Sequence, residues 1–440
     1  MKEIAKCPVG VAITSCLKDM MDRTVLRQLN TIIESLVSMR GRVTMLGISR
    51  WSETGGSYRT IQRFFGTTID WMRLNIQIIN IHMSGASGYL LAGDEVVITK
   101  SGKKTYGLDR FFSSIQSQVV KSIAFLNVSL IDIDKRKAYT VLTKQIIKEK
   151  QEGCSKAPKI AKSIGRPKGS KNINKAAVEL SPYLQWVQEA IVALLPIVRR
   201  TIPIKYFLFD GEFGSNPAVE MINQTGLKLI SKLKSNSALY LPFTGEYSGK
   251  GAPKKYGDKL NYAQLPHSLL KKTIIEEKIE TKIYQTTVLN RSFAARLNVT
   301  IIIKTNMQTH QQARVILFST DLELDYETMI DYYSLRFQIE FLFRDMKQYW
   351  GAEDFMNINQ TPLNNAINLS AFMVNISYPL RKHLGDETMS INNLKAHYHG
   401  LKYAREVFKL LPEFDDPILI QNVFEQIGSL GAIEPEILVA

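Results

Sequence analysis

The apolar periodicity of the chain changes near residue 88, from a spacing typical of helices to one typical of strands. Residues 18–40 repeat apolar side chains every three or four positions, which predicts an amphipathic helix. After residue 88, the segments GYLLAGDEVVITKSG, VVKSIAFLNVSLIDID and KAYTVLTKQII have the composition of strands, and a polar turn at Lys135 and Arg136 joins the last two. The sequence therefore predicts a helical N-terminal region followed by an antiparallel meander.

The second half of the chain first alternates between helix and strand and then becomes rich in strands. Ser181 and Pro182 predict the N-cap and first turn of a helix. The buried strand in KYFLFDGEFG, a helix near 216–225 and the strand KLISKLK follow, which indicates a βαβ-like passage with parallel strands. The remaining segments predict a β-rich stretch over 235–305, a long helix from about Tyr326 to Tyr349 and helices over 355–440. The predicted fold class is mixed α/β.

Composition narrows the class of protein. The chain has 440 residues, enough for about two to four domains, and its 45% hydrophobic content is typical of a globular protein. Lys and Arg number 56 against 41 acidic residues, a net charge of +15 that favours a polyanionic partner. Cys7, Cys16 and Cys154 form no CxxC pair, which excludes a disulfide framework or a structural zinc site. The apolar N-terminal stretch is short and no run of about 18 apolar residues occurs, so we expect a cytoplasmic protein without a membrane partner.

Two segments are candidates for binding DNA. After a glycine pair at 55–56, Ser57 is a plausible N-cap for the helix YRTIQRFF, which places Arg59 and Arg63 on one face. This predicts a helix-turn-helix, although an ordinary helical bundle with exposed arginines has the same pattern.

The second candidate is a basic loop at 148–180, whose central GRPKG resembles an AT-hook. In such a motif Arg166 and Lys168 would enter the minor groove of A·T-rich DNA. A solvated loop that contacts phosphates without sequence preference is the alternative.

Four polar residues of the predicted helix at 326–349 fall within a stripe roughly 60° wide, at about 100° per residue. They are Tyr333, Arg336, Glu340 and Lys347. The stripe borders the apolar face, so a carboxylate there can join residues at strand ends. Arg336 and Glu340 are also spaced as an ordinary surface salt bridge, and the helix by itself does not separate the two interpretations.

The pattern Tyr-x2-Arg-x3-Glu-x6-Lys resembles the YREK signature of the insertion-sequence transposases of the IS-4 clan, in the DDE superfamily. The blocks LAGDEVVITKSGKK and FDGEFG are also similar to that family, and the resemblance covers roughly residues 85–355. It implies an RNase H-like core with Asp94 on its first strand, Asp210 at the end of its fourth and Glu340 on a later helix. The implied organisation is a helical DNA-binding domain (1–84), the first part of the core (85–234), a β-rich insertion (235–305), the last core strand with the catalytic helix (306–355) and a helical C-terminal region (356–440).

The resemblance also implies a function, namely cleavage of DNA at the element's terminal inverted repeats and joining of the ends to target DNA. Asp94, Asp210 and Glu340 would hold two Mg²⁺ ions, with Mn²⁺ as a possible substitute, about 3.5–4 Å apart. Tyr333, Arg336 and Lys347 would contact DNA phosphates, and a homodimer in a bacterial nucleoid would pair two ends of double-stranded DNA.

One departure from the family concerns the insertion. Relatives stack a tryptophan of the insertion on a flipped base, whereas the four tryptophans of this chain all lie outside 235–305. Other aromatic side chains offer a stacking face, and the candidates are Tyr240, Phe243, Tyr247, Tyr256 and Tyr284. Two other functions fit parts of the sequence. One is a non-catalytic DNA-binding regulator derived from a transposase, and the other is an RNase H-type nuclease, against which the insertion and the helical flanks argue.

Overall fold

The structure is a computed structural model that describes residues 13–52, 55–83, 85–113, 116–148, 175, 178–247, 249, 251–409 and 417–429. It contains two compact units. Unit 1 combines Met1–Ser87, Glu95–Ile146 and Gln338–Ala440, and unit 2 combines Gly88–Asp94 and Ile147–Phe337.

Helices and strands occur mostly in separate blocks along the chain. The helices are α1 (Arg23–Ser38), α2 (Met45–Trp51), α3 (Tyr58–Gly66), α4 (Trp71–His82), α5 (Pro182–Val198), α6 (Asn216–Gln224), α7 (Tyr326–Leu335), α8 (Gln338–Gln348), α9 (Gln360–His383), α10 (Ile391–Lys409) and α11 (Pro417–Ser429). The strands are β1 (Tyr89–Thr99), β2 (Asp109–Ser113), β3 (Gln118–Asp132), β4 (Lys137–Ile146), β5 (Ile204–Leu208), β6 (Lys228–Leu233), β7 (Leu239–Pro242), β8 (Tyr256–Lys259), β9 (Leu270–Glu276), β10 (Ile279–Asn290), β11 (Leu297–Asn306) and β12 (Gln312–Ser319). None of the described helices is both long and apolar enough to cross a membrane.

Side-chain caps fix the starts of several helices. Asp22 accepts hydrogen bonds from the backbone N–H groups of Thr24 and Val25 and so begins α1. Ser57 accepts from the N–H of Thr60 and begins α3, as predicted. Ser181 caps α5 in the same way, with Pro182 in the first turn.

The core of unit 1 is built around α8, α9 and the sheet residues 95–146. Leu342 and Met346 of α8 pack in one buried cluster with Val96 and Ile98 of β1, and Ile367 of α9 belongs to the same cluster. The strands β2 and β4 both pair with β3 in antiparallel register, which confirms the predicted meander. Apolar packing thus fixes α8 against the stretch of β1 that directly follows Asp94.

Unit 2 contains a sheet of mixed direction. The first part of β1 pairs in parallel with β5, and β5 pairs in parallel with β6. The sheet then continues in antiparallel pairs through β12, β11, β10, β7 and β8, with β9 on β10. The helix α6 connects β5 to β6, so the predicted βαβ passage is confirmed. Residues 235–305 are rich in strands, as expected, and the mixed α/β class is confirmed.

The prediction of a single helix from Tyr326 to Tyr349 is wrong. Arg336 and Phe337 form a turn between α7 and α8, in which the N–H of Arg336 bonds to Tyr333 O and that of Phe337 to Ser334 O, each at 3.2 Å. These bonds span three residues instead of four, which tightens the chain and ends α7. The predicted stripe assumed one uninterrupted helix, so the helical angles counted from Tyr333 do not carry over to Glu340 and Lys347.

Candidate active site

Asp94 lies within β1, and Asp210 lies two residues beyond the end of the adjacent parallel strand β5, both in unit 2. In the register of β1 and β5, Ala92 lies opposite Leu208, and each aspartate follows its registered residue by two positions. The register therefore places both aspartates near the carboxyl end of β5.

Close packing on the opposite face holds this part of β1 against the chain after β5. A Cβ on Gly93 would lie only 2.6 Å from Cε1 of Phe209 and 3.0 Å from Cε1 of Phe207. Both rings are fully buried, and Phe209 stacks on Phe213 with a centroid distance of 3.8 Å. Only glycine fits between the two aromatic rings. Because Asp94 is the next residue of the strand, this close contact also fixes its position.

Hydrogen bonds fix the turn that carries Asp210. The hydroxyl of Ser231 donates to Asp210 O at 2.6 Å, and the N–H of Glu212 donates to the Asp210 carboxylate at 3.0 Å. A Cβ on Gly214 would lie 2.3 Å from Lys232 O, so this glycine is required by close approach of the backbone of β6. The FDGEFG block is therefore a tight turn that presents its aspartate from a rigid support.

Two residues of the predicted signature join the aspartates in unit 2. Nη1 of Arg336 lies 2.9 Å from Oδ2 of Asp94, and the two side chains are 15% and 25% exposed. Burial raises the pKa of Tyr333, the Arg336 cation opposes this shift, and the negative charges of Asp210 and Asp94 add to it. Asp94, Asp210, Tyr333 and Arg336 thus form one electrostatically connected group.

The other two signature residues belong to α8 in unit 1. Glu340 lies in the first turn of that helix and its side chain is exposed. Nζ of Lys347 donates to Val97 O at 2.8 Å and lies 3.5 Å from the Glu353 carboxylate. Lys347 is thus anchored on β1, three residues beyond the position of Asp94.

The donor chemistry of the aspartates suits a hard divalent cation, because Mg²⁺ prefers carboxylate oxygens. One carboxylate oxygen of Asp94 accepts a hydrogen bond from Arg336. Across the described ranges, no cluster of three or more His, Cys, Asp or Glu side chains is close enough to hold a metal ion.

The predicted DNA-binding residues have different outcomes. Arg59 and Arg63 are exposed on α3 beside the half-exposed Tyr58. Arg166 and Lys168 lie outside the described residues, so the AT-hook stays a prediction.

Of the aromatic candidates within residues 235–305, Tyr284 is buried at 9% exposure, whereas Tyr247 is 56% exposed. Tyr240 and Tyr256 pack edge to face at 5.5 Å, and the Arg291 guanidinium lies over both rings. Tyr247 therefore has the most accessible stacking face among the candidates.

Sequence reasoning missed Gly93 and Ser231, which position the two aspartates without carrying charge. A glycine inside a strand is a signal for close approach of another chain segment, and this signal was present at Gly93. Ser231 gives no local signal, because its hydroxyl acts on a carbonyl 21 residues away.

The chain belongs to the DDE superfamily endonucleases, whose sequence profile matches residues 16–292, well over half of its 440 residues. The matched range contains Asp94 and Asp210 and ends before Glu340. A comparison with curated proteins gave no match. Among solved structures, the chain is similar to the piggyBac transposase in a synaptic complex with hairpin DNA, at 11% identity and a TM-score of 0.37, over 95% of this chain and 80% of that one.

Proposed function

We propose that the protein is a DNA transposase of the insertion-sequence type, related to the IS-4 clan, that cleaves the ends of its own element and joins them to target DNA. The observation that carries this proposal is the equal offset of Asp94 and Asp210 from the registered pair Ala92 and Leu208 on parallel strands. Membership of the DDE superfamily endonucleases supports the chemistry. The net charge of +15 supports a nucleic-acid substrate.

Asp94, Asp210 and Glu340 are the carboxylates that we propose as the ligands of two divalent ions. Bound Mg²⁺, or Mn²⁺ in its place, would activate the attacking oxygen and stabilise the leaving oxygen. The rigid turn around Asp210 and the tight contact at Gly93 keep the first two carboxylates in place before any substrate binds, which lowers the cost of organising the site.

Tyr333, Arg336 and Lys347 are proposed to hold the phosphates that flank the cleaved bond. Arg336 has a planar guanidinium with several N–H donors, so it can exchange Asp94 for a phosphate without losing its hydrogen bonds. The exposed Arg59 and Arg63 on α3 are proposed to contact the terminal inverted repeat. Arg166 and Lys168, which lie outside the described residues, are proposed to contact DNA as well. We propose a homodimer in the DNA complex, because two ends of one element must be cut together.

The test is cleavage of double-stranded DNA that carries the inverted repeats flanking the gene of this protein, with Mg²⁺ present. We expect site-specific strand breaks with the native chain and at least about a hundredfold slower cleavage with Asp94→Asn, Asp210→Asn or Glu340→Gln, since each substitution removes a charge that the reaction requires. Glu189→Gln is the matched control, because Glu189 is an exposed carboxylate on α5.

DNA binding without cleavage by the native chain would instead identify a regulator derived from a transposase. Cleavage that is unchanged in Glu340→Gln would overturn the assignment of the third carboxylate while leaving the aspartates in place. Breaks scattered without regard to the inverted repeats would indicate a general nuclease.

A further inference from the structure

The antiparallel pair of β2 and β3 presents an exposed face of unusual composition in unit 1. Arg110 lies directly opposite Lys121, and Phe112 lies directly opposite Val119. All four side chains are exposed, with 60% of Phe112 and 52% of Val119 accessible to solvent. We call these four residues the ribbon face.

The ribbon face combines two cations with exposed apolar surface. Exposed apolar surface in contact with water costs about 25 cal/mol per Å². A partner that supplies negative charge and an apolar surface together would match both features.

The position of the ribbon face leaves it open to a large partner. The strand β2 is the last strand at one end of the sheet order. In β3, residues 118–121 are exposed or half-buried, whereas every residue from Ser122 onwards is buried. On the other face of β2, Phe111 is only 7% exposed. One face of the strand therefore packs in the core, and the opposite face is accessible to a partner.

The charge of the surrounding chain selects the kind of partner. Between residues 103 and 121 the sequence has four cations and one anion; the cations are Lys103, Lys104, Arg110 and Lys121, and the anion is Asp109. A net charge of +3 over this stretch favours a polyanion and disfavours a second copy of the same basic surface.

We propose that the ribbon face binds duplex DNA, with Arg110 and Lys121 on phosphates and with Phe112 and Val119 against the apolar surface inside a groove. A two-stranded ribbon fits the major groove, and apolar side chains inserted between cations also occur in minor-groove contacts. The inference rests on the proposed function only in taking DNA as the substrate. It adds a DNA-binding element that contains none of the signature residues.

The test is fluorescence anisotropy of a labelled duplex of about 30 base pairs, titrated at several salt concentrations without divalent metal. Each phosphate contact contributes about 0.9 to the slope of log K against log salt, so Arg110→Gln with Lys121→Gln should lower the slope by roughly 1.8. Phe112→Ser should weaken binding several-fold at every salt concentration and leave the slope unchanged, because it removes an uncharged contact. Arg199→Gln with Arg200→Gln is the matched control, since it removes two exposed charges from the end of α5.

A slope that stays at the native value in the Arg110/Lys121 variant would overturn the proposal. A Phe112→Ser chain that binds DNA normally but changes its oligomeric state would also overturn it, and would identify the ribbon face as a protein interface. Thermal unfolding of each variant shows whether a weakened complex reflects lost contacts or lost structure. Because this assay requires no cleavage, the transposase proposal can fail while the ribbon face still binds DNA, and the reverse outcome is equally visible.

Discussion

At the scale of single residues, Gly93 has a strict steric requirement directly beside Asp94. Its missing side chain admits the rings of Phe207 and Phe209, whose centroids are 4.5 Å apart. Since both rings are fully buried and Phe209 stacks on Phe213, they cannot move aside at low cost. The glycine therefore links the packing of the core to the placement of Asp94.

We predict that Gly93→Ala lowers the free energy of unfolding by about 1–3 kcal/mol, the typical cost of overpacking a tight core. Urea denaturation at constant pH measures this change. Gly66→Ala is the control, because a Cβ there meets nothing within 4 Å. Combining Gly93→Ala with Phe209→Leu should recover part of the loss, since leucine has no atom equivalent to the obstructing Cε1. Strict additivity of the two substitutions would contradict this explanation.

Arg336 is the second residue with a separable role, because it pairs with Asp94 through a contact of 2.9 Å. We predict that Arg336→Gln slows cleavage of the element ends by more than about tenfold and that Arg336→Lys lies between it and the native chain, since lysine keeps the charge and loses the planar donor pair. Cleavage rates at saturating DNA measure the effect. A rate for Arg336→Lys equal to that of the native chain would show that charge alone matters.

At the scale of elements, α10 ties together the ends of two other helices of unit 1. Nζ of Lys395 donates to Leu36 O in α1 at 2.7 Å and to Tyr349 O just after α8 at 3.3 Å. A cation is favourable beside the carbonyl end of a helix, where the backbone carries partial negative charge. The ammonium group nevertheless lies in a poorly solvated place, over the ring of Trp350.

Burial lowers the pKa of Lys395 to about 8, whereas the unfolded chain has the ordinary lysine value of about 10.5. Between these values the unfolded state binds more protons than the folded state, so this group makes the free energy of unfolding rise with pH. Below pH 8 both states are protonated, and this contribution to the slope disappears.

We therefore predict that the native chain gains roughly 1–3 kcal/mol of stability relative to Lys395→Met between pH 8 and pH 10.5. The difference between the two unfolding curves isolates this lysine, because every other titrating group is common to both chains. A difference that does not change over this window would show that the ammonium group is well solvated. Lys402→Met, on the same helix, is a control with an exposed ion-pair partner.

At the scale of the whole molecule, local periodicity predicted the succession of elements well. The N-cap at Ser57, the Pro182 start of α5 and the βαβ passage around α6 all depend on neighbouring residues, so one sequence was sufficient. The division into two units was not predictable, because residues 95–146 join helices from both ends of the chain through contacts that leave no local pattern. The turn at Arg336 and Phe337 contains neither glycine nor proline, so nothing in the sequence indicated the end of α7 there.

The aspartates of the candidate site were predictable from the sequence, whereas the residues that position them were not. The resemblance to a transposase family selected Asp94 and Asp210, but the register that aligns them and the ring contacts at Gly93 depend on residues far apart in the sequence. Ser231 could not be predicted, because the local sequence does not distinguish a serine whose hydroxyl binds a distant carbonyl from any other serine in a strand.

The register of β1 and β5 also has a consequence for how this protein can change during evolution. Asp94 lies two positions beyond Ala92 within β1, so a one-residue insertion or deletion between the two would turn its carboxylate, and every later side chain of the strand, to the opposite face. The same change would disturb the close contacts of Gly93 with Phe207 and Phe209. Lineages of this protein should therefore tolerate length changes in the loops while the spacing from Ala92 to Asp94 and from Leu208 to Asp210 stays fixed, and a copy that has lost the spacing in β1 should be less stable.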